Sequence, residues 1–175
     1  MTGRWIKDGV FADMTMEIEG RMVSNPTEEQ LRKAGYVPYV PSDEELLAQA
    51  KEAKVQEIER YDTSSAVNGF KLNGNVFWLD KATRVGLMNS TEITKAAGQE
   101  TTELWMGDVK LTIDCDKVIK LLSAIELYAL GCFNTTARHK AEVNDLKTVA
   151  EVEAYDVTEG YPKQLEINLD GLDRQ

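Results

Sequence analysis

The middle of the chain repeats one pattern, two short strand-like segments followed by a longer helical segment. The first pair of strand-like segments covers residues 67–79 and is interrupted by Asn73-Gly74, a dipeptide typical of tight hairpin turns. The second pair covers residues 101–113 and is interrupted by Gly107-Asp108. The pattern therefore predicts two β-hairpins, each followed by a helix.

Start signals and apolar spacing define the two helices that follow the hairpins. Asp80 is placed to cap a helix that ends near Ala97, and Asp114 or Asp116 to cap the longest helix, which ends near Leu146. Apolar residues recur at helical spacing on the longest helix, so one of its faces should form most of the core. These residues are Val118, Leu121, Leu122, Ile125, Ala129 and Cys132.

Each predicted hairpin has one apolar face and a tryptophan on its other face. Across a two-residue turn Leu104 faces Leu111, which places Trp105 and Lys110 together on the opposite side. Trp78 has the corresponding place in the first hairpin. Both tryptophans need a cover, which either a helix of this chain or a partner protein could supply.

Residues 1–41 are predicted to form a small N-terminal unit of short strands and one short helix. Residues 42–175 then form an α+β domain with the duplicated hairpin–helix unit, in which the two hairpins make a small antiparallel sheet packed on two or three helices. Trp5, Tyr36 and Tyr39 lie in the N-terminal unit or its proline-containing end. They either pack that unit or form a docking arm for another protein.

Charge and composition narrow the classes of partner. The chain has 175 residues, 42% of them hydrophobic, and a net charge of −10 with no basic stripe, which argues against nucleic acid. Residues 1–20 mix charged and apolar residues, so no signal peptide is expected. The most apolar stretch, residues 118–133, contains Lys120 and Glu126, so we expect no membrane insertion.

A search for catalytic and metal-binding chemistry favours structural explanations. His139 is the one histidine, and on the polar second half of a long helix it is expected to be a structural or inert surface residue. Cys115 and Cys132 lack zinc-type spacing and are expected to be reduced and buried. The sequence contains no glycine-rich phosphate loop. We therefore predict no catalytic, metal or cofactor site.

Several short stretches in the second part of the chain are similar in sequence to a known family. They include Ala-Lys-Glu-Ala-Lys from Ala50, residues 61–68, Leu72-Asn73-Gly74, Trp78-Leu79-Asp80, residues 84–88, Leu104-Trp105-Met106, residues 127–129 and residues 155–162. Residues 43–163 on this basis resemble the phage-associated domain-of-unknown-function family 4376. Residues 25–31 with Gly35-Tyr36 are similar to openings of small proteins encoded beside phage tail-fibre genes.

The resemblance implies a biological context, a tailed bacteriophage, and the family has no catalytic motif to carry over to this chain. It implies a non-enzymatic bacteriophage protein of the tail, baseplate or tail-fibre region, made in the host cytoplasm and located in the virion. Its partners would be other phage tail or fibre proteins, or further copies of this chain. The alternative is a tail-fibre assembly chaperone that is not retained in the virion. A virion component is present in purified particles in fixed stoichiometry, whereas a chaperone is absent or substoichiometric.

Overall fold

The computed structural model describes residues 4–106 and 109–168. The chain divides into two compact units, Met1–Ala48 and Gln49–Gln175, which are described separately below. The sequence analysis ended the N-terminal unit at residue 41, and this division falls at residue 48, inside a helix.

The first unit consists mainly of short strands. Its elements are β1 (Trp5–Lys7), β2 (Val10–Phe11), β3 (Thr15–Ile18), β4 (Arg21–Ser24), α1 (Glu28–Lys33), β5 (Val37–Pro38) and the start of α2 (Asp43–Asp62). Strand β1 lies between β2 and β5 in an antiparallel sheet, and β3 pairs with β4. Thr27 and Gln30 cap α1 reciprocally, each side chain bonding the backbone N–H of the other residue.

The second unit combines helices with two small sheets. After α2 come β6 (Phe70–Leu72), β7 (Asn75–Phe77), α3 (Lys81–Ala96), β8 (Thr101–Met106), β9 (Val109–Asp114), α4 (Cys115–Asp145), α5 (Val149–Ala154) and β10 (Glu166–Ile167). The α+β class, the two hairpins and the N-terminal strands are thus confirmed.

The two hairpins belong to separate sheets, whereas the sequence analysis placed them in one. Strand β6 pairs with β7 on one side and, in parallel, with β10 on the other, while β8 and β9 form a sheet of their own. The backbone N–H of Lys71 donates to the carbonyl of Leu165 at 2.8 Å, and that of Asn73 to Ile167 at 2.9 Å. The C-terminal segment therefore pairs with the edge of β6 that β7 leaves free, and β8 and β9 pair only with each other.

The register of the second hairpin follows the predicted alternation. Leu104 pairs with Leu111 and Trp105 with Lys110. The predicted turn at Gly107-Asp108 lies outside the described residues. In a strand pair neighbouring positions point to opposite faces, so Trp105 is on the face opposite Leu104.

Aspartates cap the two helices that follow the hairpins, α3 and α4, as predicted. The Asp80 carboxylate accepts hydrogen bonds from the backbone N–H of Thr83 at 2.8 Å and from the Thr83 hydroxyl at 2.9 Å. Asp114 accepts from the backbone N–H of Lys117 at 3.1 Å. Each carboxylate satisfies a first-turn amide that has no acceptor within the helix.

We expect the Asp80 cap to make stability depend on pH. The hydrogen bonds from Thr83, the backbone one first, hold the pKa of the Asp80 carboxyl below its usual range. A carboxyl with a lowered folded-state pKa stabilises the protein above its unfolded pKa, and this contribution is lost as pH falls through the folded value. The Asp80→Asn variant keeps an acceptor but does not titrate. Urea denaturation from about pH 6 down to about pH 2.5 should therefore show a smaller loss of stability in the variant. Equal losses would contradict this role.

The core of the second unit lies along one face of α4. Phe70, Leu72 and Ile125 are buried together, and Leu104, Val118 and Leu122 form a second buried cluster. The predicted core positions of α4 are buried, apart from the half-buried Ala129. Cys115 and Cys132 are free and buried, as expected.

The expectation of no membrane insertion stays a prediction, and helix α4 is the element on which it depends. In the described part of the chain, it is long and apolar enough to cross a membrane by length and composition alone. The expectation relied on Lys120 and Glu126, and two charges do not exclude a helix from that test. A single such helix is weak evidence, because the core helix of a folded domain passes the same test. The apolar residues of α4 divide between the buried face and an exposed one.

Candidate protein-binding surfaces

Trp5 is buried inside the N-terminal unit. Its side chain is 4% exposed, β1 is the central strand of its sheet, and the Arg32 guanidinium lies 5.0 Å from the indole centroid. The indole is therefore covered by its own unit. A buried ring offers no surface to a partner, so Trp5 packs the unit and is not a contact residue of a docking arm.

Tyr36 and Tyr39 are half-buried and take part in contacts of the same unit. The Lys7 ammonium lies 5.9 Å from the Tyr36 ring centroid. Tyr39 meets Phe11 edge-to-face at 5.0 Å, and its hydroxyl donates to the Glu45 carboxylate. That hydrogen bond raises the pKa of Tyr39. These contacts fit the packing interpretation and leave part of each ring accessible.

Trp78 is half-buried and packs against the core of the second unit. The Arg84 guanidinium lies 5.4 Å from its ring centroid. Arg84 is itself buried, with Nε 2.6 Å from a Glu126 carboxylate oxygen and Nη1 donating to the Leu79 carbonyl at 2.5 Å. Helices α3 and α4 thus supply the cover that this tryptophan needs.

Trp105 is the most exposed of the five candidate residues, with 66% of its surface open to solvent. Its neighbour Leu104 is buried in the core against α4. One face of the hairpin is therefore packed, and the opposite face, which carries Trp105, is uncovered. On that face Lys110 pairs with Glu103 at 2.6 Å. Trp105 is thus an exposed aromatic side chain on a hairpin held by the core, beside the ion pair of Lys110 and Glu103.

Helix α4 presents a second uncovered surface that the sequence analysis missed. Leu127, Leu130 and Phe133 are 69%, 50% and 68% exposed. We call these residues, with the exposed Asn134, Ala137 and Ala141, the outer face of α4. The sequence signal for it is a second set of apolar residues at helical spacing, which lies between the core positions along the same helix and is therefore hard to separate from them.

His139 is buried, at 2% exposure, and the expectation of a surface residue was wrong. Its Nδ1 lies 2.6 Å from the Tyr155 hydroxyl, and Nε2 lies 2.8 Å from the Glu159 carbonyl oxygen. The ring also stacks on Tyr161 with centroids 5.5 Å apart. The segment after α5 folds back over the second half of α4 and covers the imidazole. A structural role for His139 fits these contacts.

An open depression of about 530 Å³ lies beside this histidine. Glu142, Glu151 and Asp156 are among its lining residues, and each already has a local partner. Glu142 accepts from the Tyr155 hydroxyl at 2.5 Å, Glu151 caps α5, and Asp156 accepts from the backbone N–H of Thr158 at 2.8 Å. Across residues 4–106 and 109–168, no group of three or more His, Cys, Asp or Glu side chains is arranged to hold a metal ion.

The fold and its uncovered surfaces define a small α+β protein with apolar residues available for contact. Residues 49–159 match the family described as Domain of unknown function (DUF4376), and the chain belongs to this family. The match begins at the first residue of the second unit. No curated protein and no solved structure matches the chain.

Proposed function

We propose that this chain is a non-enzymatic structural or accessory protein of a bacteriophage tail, baseplate or tail-fibre region, and that it acts by binding other proteins. The phage setting comes from the resemblance of residues 43–163 and of the N-terminal opening to phage proteins. The observation that carries the binding role is Trp105, a mostly exposed tryptophan on a hairpin anchored in the core.

The surroundings of Trp105 suit a contact with a folded partner. Tryptophan is enriched among the few residues that supply most of the binding energy of protein interfaces. Leu104 fixes the strand, so little conformational freedom is lost when Trp105 is covered. The pair between Lys110 and Glu103 can form part of a polar rim around it.

Charge indicates the kind of partner surface. With a net charge of −10, the chain attracts basic patches on other proteins and repels acidic ones. A partner with an apolar pocket beside basic side chains would meet both Trp105 and the acidic surface. We therefore propose another phage tail or fibre protein of this surface type as the partner.

The contacts of the titratable groups support a non-enzymatic role. Beside the depression Glu151 caps α5, Asp156 accepts from a turn amide, and Glu142 accepts from the Tyr155 hydroxyl. The buried His139 is held by Tyr155 and Glu159. A general base is a side chain that can reach a proton of the substrate. These groups are instead engaged in local structure.

Quantitative mass spectrometry of purified particles of the encoding phage tests this proposal. We expect the native chain at a fixed copy number relative to the major tail proteins. The Trp105→Ala variant should be incorporated about tenfold less or worse, because its anchor is lost. Val76→Ala, which shortens an exposed side chain on the other hairpin, is the matched control and should be incorporated normally.

Other results would overturn parts of the proposal. Absence of the native chain from particles, together with co-purification with a fibre protein from infected cells, would show an assembly chaperone in place of a virion component. Normal incorporation of Trp105→Ala would remove Trp105 from the contact. Absence from both particles and fibre complexes would refute a tail function altogether.

A further inference from the structure

Five residues of the outer face of α4, all but Phe133, have together with Ser123 the spacing of a coiled-coil seam. Its positions follow one another at alternating intervals of four and three residues, the repeat that keeps one stripe of a helix against a partner helix. They are Ser123, Leu127, Leu130, Asn134, Ala137 and Ala141. Ser123 is half-buried and the others are exposed, so the described residues of the second unit leave most of the stripe uncovered.

We propose that the outer face of α4 binds the same face of a second copy of this chain, with the two α4 helices antiparallel. In a two-fold interface every contact occurs twice: if one residue of the first copy meets a given residue of the second copy, the same two residues also meet with the copies exchanged. In the antiparallel register Leu127 meets Ala137 of the second copy, and Leu130 meets Asn134. Ser123 then meets Ala141. Each of these pairs joins a residue from the N-terminal half of the seam in one copy to a residue from the C-terminal half in the other copy. Both leucines therefore meet smaller side chains.

The residues beside the seam fit the same register. Glu126 of one copy lies opposite Lys140 of the other, and this pairing occurs twice. Phe133 meets its own counterpart at the two-fold axis, where offset or edge-to-face ring contacts are favourable. A parallel arrangement would instead align each residue with itself across the seam and would leave the Glu126–Lys140 pairing unused. Charge therefore favours the antiparallel arrangement.

Glu126 and Lys140 remain accessible for these contacts. Glu126 pairs with Arg84 and Lys140 with Glu59 within the chain, yet both side chains are partly exposed. A carboxylate has about four acceptor positions and an ammonium three donors, so each can hold a second partner. The intramolecular pairs fix the two charges in place before the second copy arrives.

The size of the face suits a dimer of moderate stability. From Ser123 to Ala141 the seam is about 27 Å long at the rise of an α-helix. Its three large side chains expose on the order of 400 Å². Specific interfaces bury about 800 Å² per partner, so the flanking polar residues supply the rest. This dimer is independent of the tail function proposed above, which concerns Trp105.

Analytical ultracentrifugation of the full chain at about 100 µM tests the proposal. We expect a species of about twice 19.6 kDa. The Leu130→Glu variant should weaken association by about 30-fold or more, because it places a carboxylate in the seam. Ala137→Glu should do the same, and Ile93→Glu, at an exposed site on α3, should leave the dimer intact. A monomeric native chain, or seam variants that dimerise normally, would overturn the proposal.

Disulfide cross-linking tests the direction of the helices. A chain carrying both Leu127→Cys and Ala137→Cys should form a covalent dimer on mild oxidation, because the two sites meet across the antiparallel seam. Leu127→Cys alone should not, since its two copies lie far apart in that register. Cross-linking of the single variant would show a parallel pair and refute the proposed arrangement. The native Cys115 and Cys132 are buried, so the unaltered chain serves as the background control.

Discussion

Replacing Leu122 with alanine is expected to lower the free energy of unfolding by about 2–5 kcal/mol. Leu122 is 1% exposed and packs with Val118 and Leu104, so its removal leaves a cavity between α4 and the second hairpin. The loss combines the transfer free energy of the removed carbon atoms with the contacts that the cavity walls no longer make. Urea denaturation followed by circular dichroism measures it.

Ile93→Ala is the matched control for this experiment. Ile93 lies on the neighbouring helix α3 but is largely exposed, so shortening it should change stability by no more than about 0.5 kcal/mol. If Leu122→Ala unfolded at the same urea concentration as the native chain, the assignment of this α4 face to the core would be wrong.

Signals that act within a few residues made much of this fold predictable. The Asp80 cap and the turn at Asn73-Gly74 depend on side chains and backbone angles next to each other in sequence. Gly74 has a φ of +83° and Asn73 a φ of +48°, the left-handed conformation that such turns require. The buried face of α4 was predictable for a similar reason, because apolar spacing along one helix is visible in sequence.

Contacts between distant parts of the chain were not predictable in this way. The parallel pairing of β10 with β6 joins residues 166 and 71, and no local signal specifies it. The same reason explains the separate sheets of the two hairpins. The strand that pairs with an exposed strand edge is determined by how the intervening helices pack, and a single sequence does not reveal that packing.

The tryptophans illustrate this limit at the candidate site. Trp5, Trp78 and Trp105 all occur in or beside short strands, and sequence reasoning treated them alike. The structure buries Trp5 at the centre of a sheet, half-covers Trp78 with Arg84, and leaves Trp105 exposed. Burial of a large side chain is decided by the elements that pack on it, so the candidates could be listed from sequence but not ranked.

Replacing His139 with alanine is expected to lower the free energy of unfolding by about 2–4 kcal/mol. The substitution removes a buried ring that stacks on Tyr161, and it deprives the Glu159 carbonyl of a donor. It also ends the contact between the imidazole and the Tyr155 hydroxyl. Cavity formation and loss of buried hydrogen bonds therefore act together. Urea denaturation at neutral pH measures the loss.

The Tyr155→Phe variant separates the contribution of the hydrogen bond from the contribution of packing to the stability lost in His139→Ala. It keeps the ring that meets His139 edge-to-face and removes only the hydroxyl, so it should cost about 1 kcal/mol. A larger loss in His139→Ala than in Tyr155→Phe would show that the imidazole holds the segment after α5 against α4 by packing as well as by hydrogen bonding. An alanine variant as stable as the native chain would contradict the structural role. A buried histidine that contributes nothing to folding would then be explained better by chemistry in the adjoining depression.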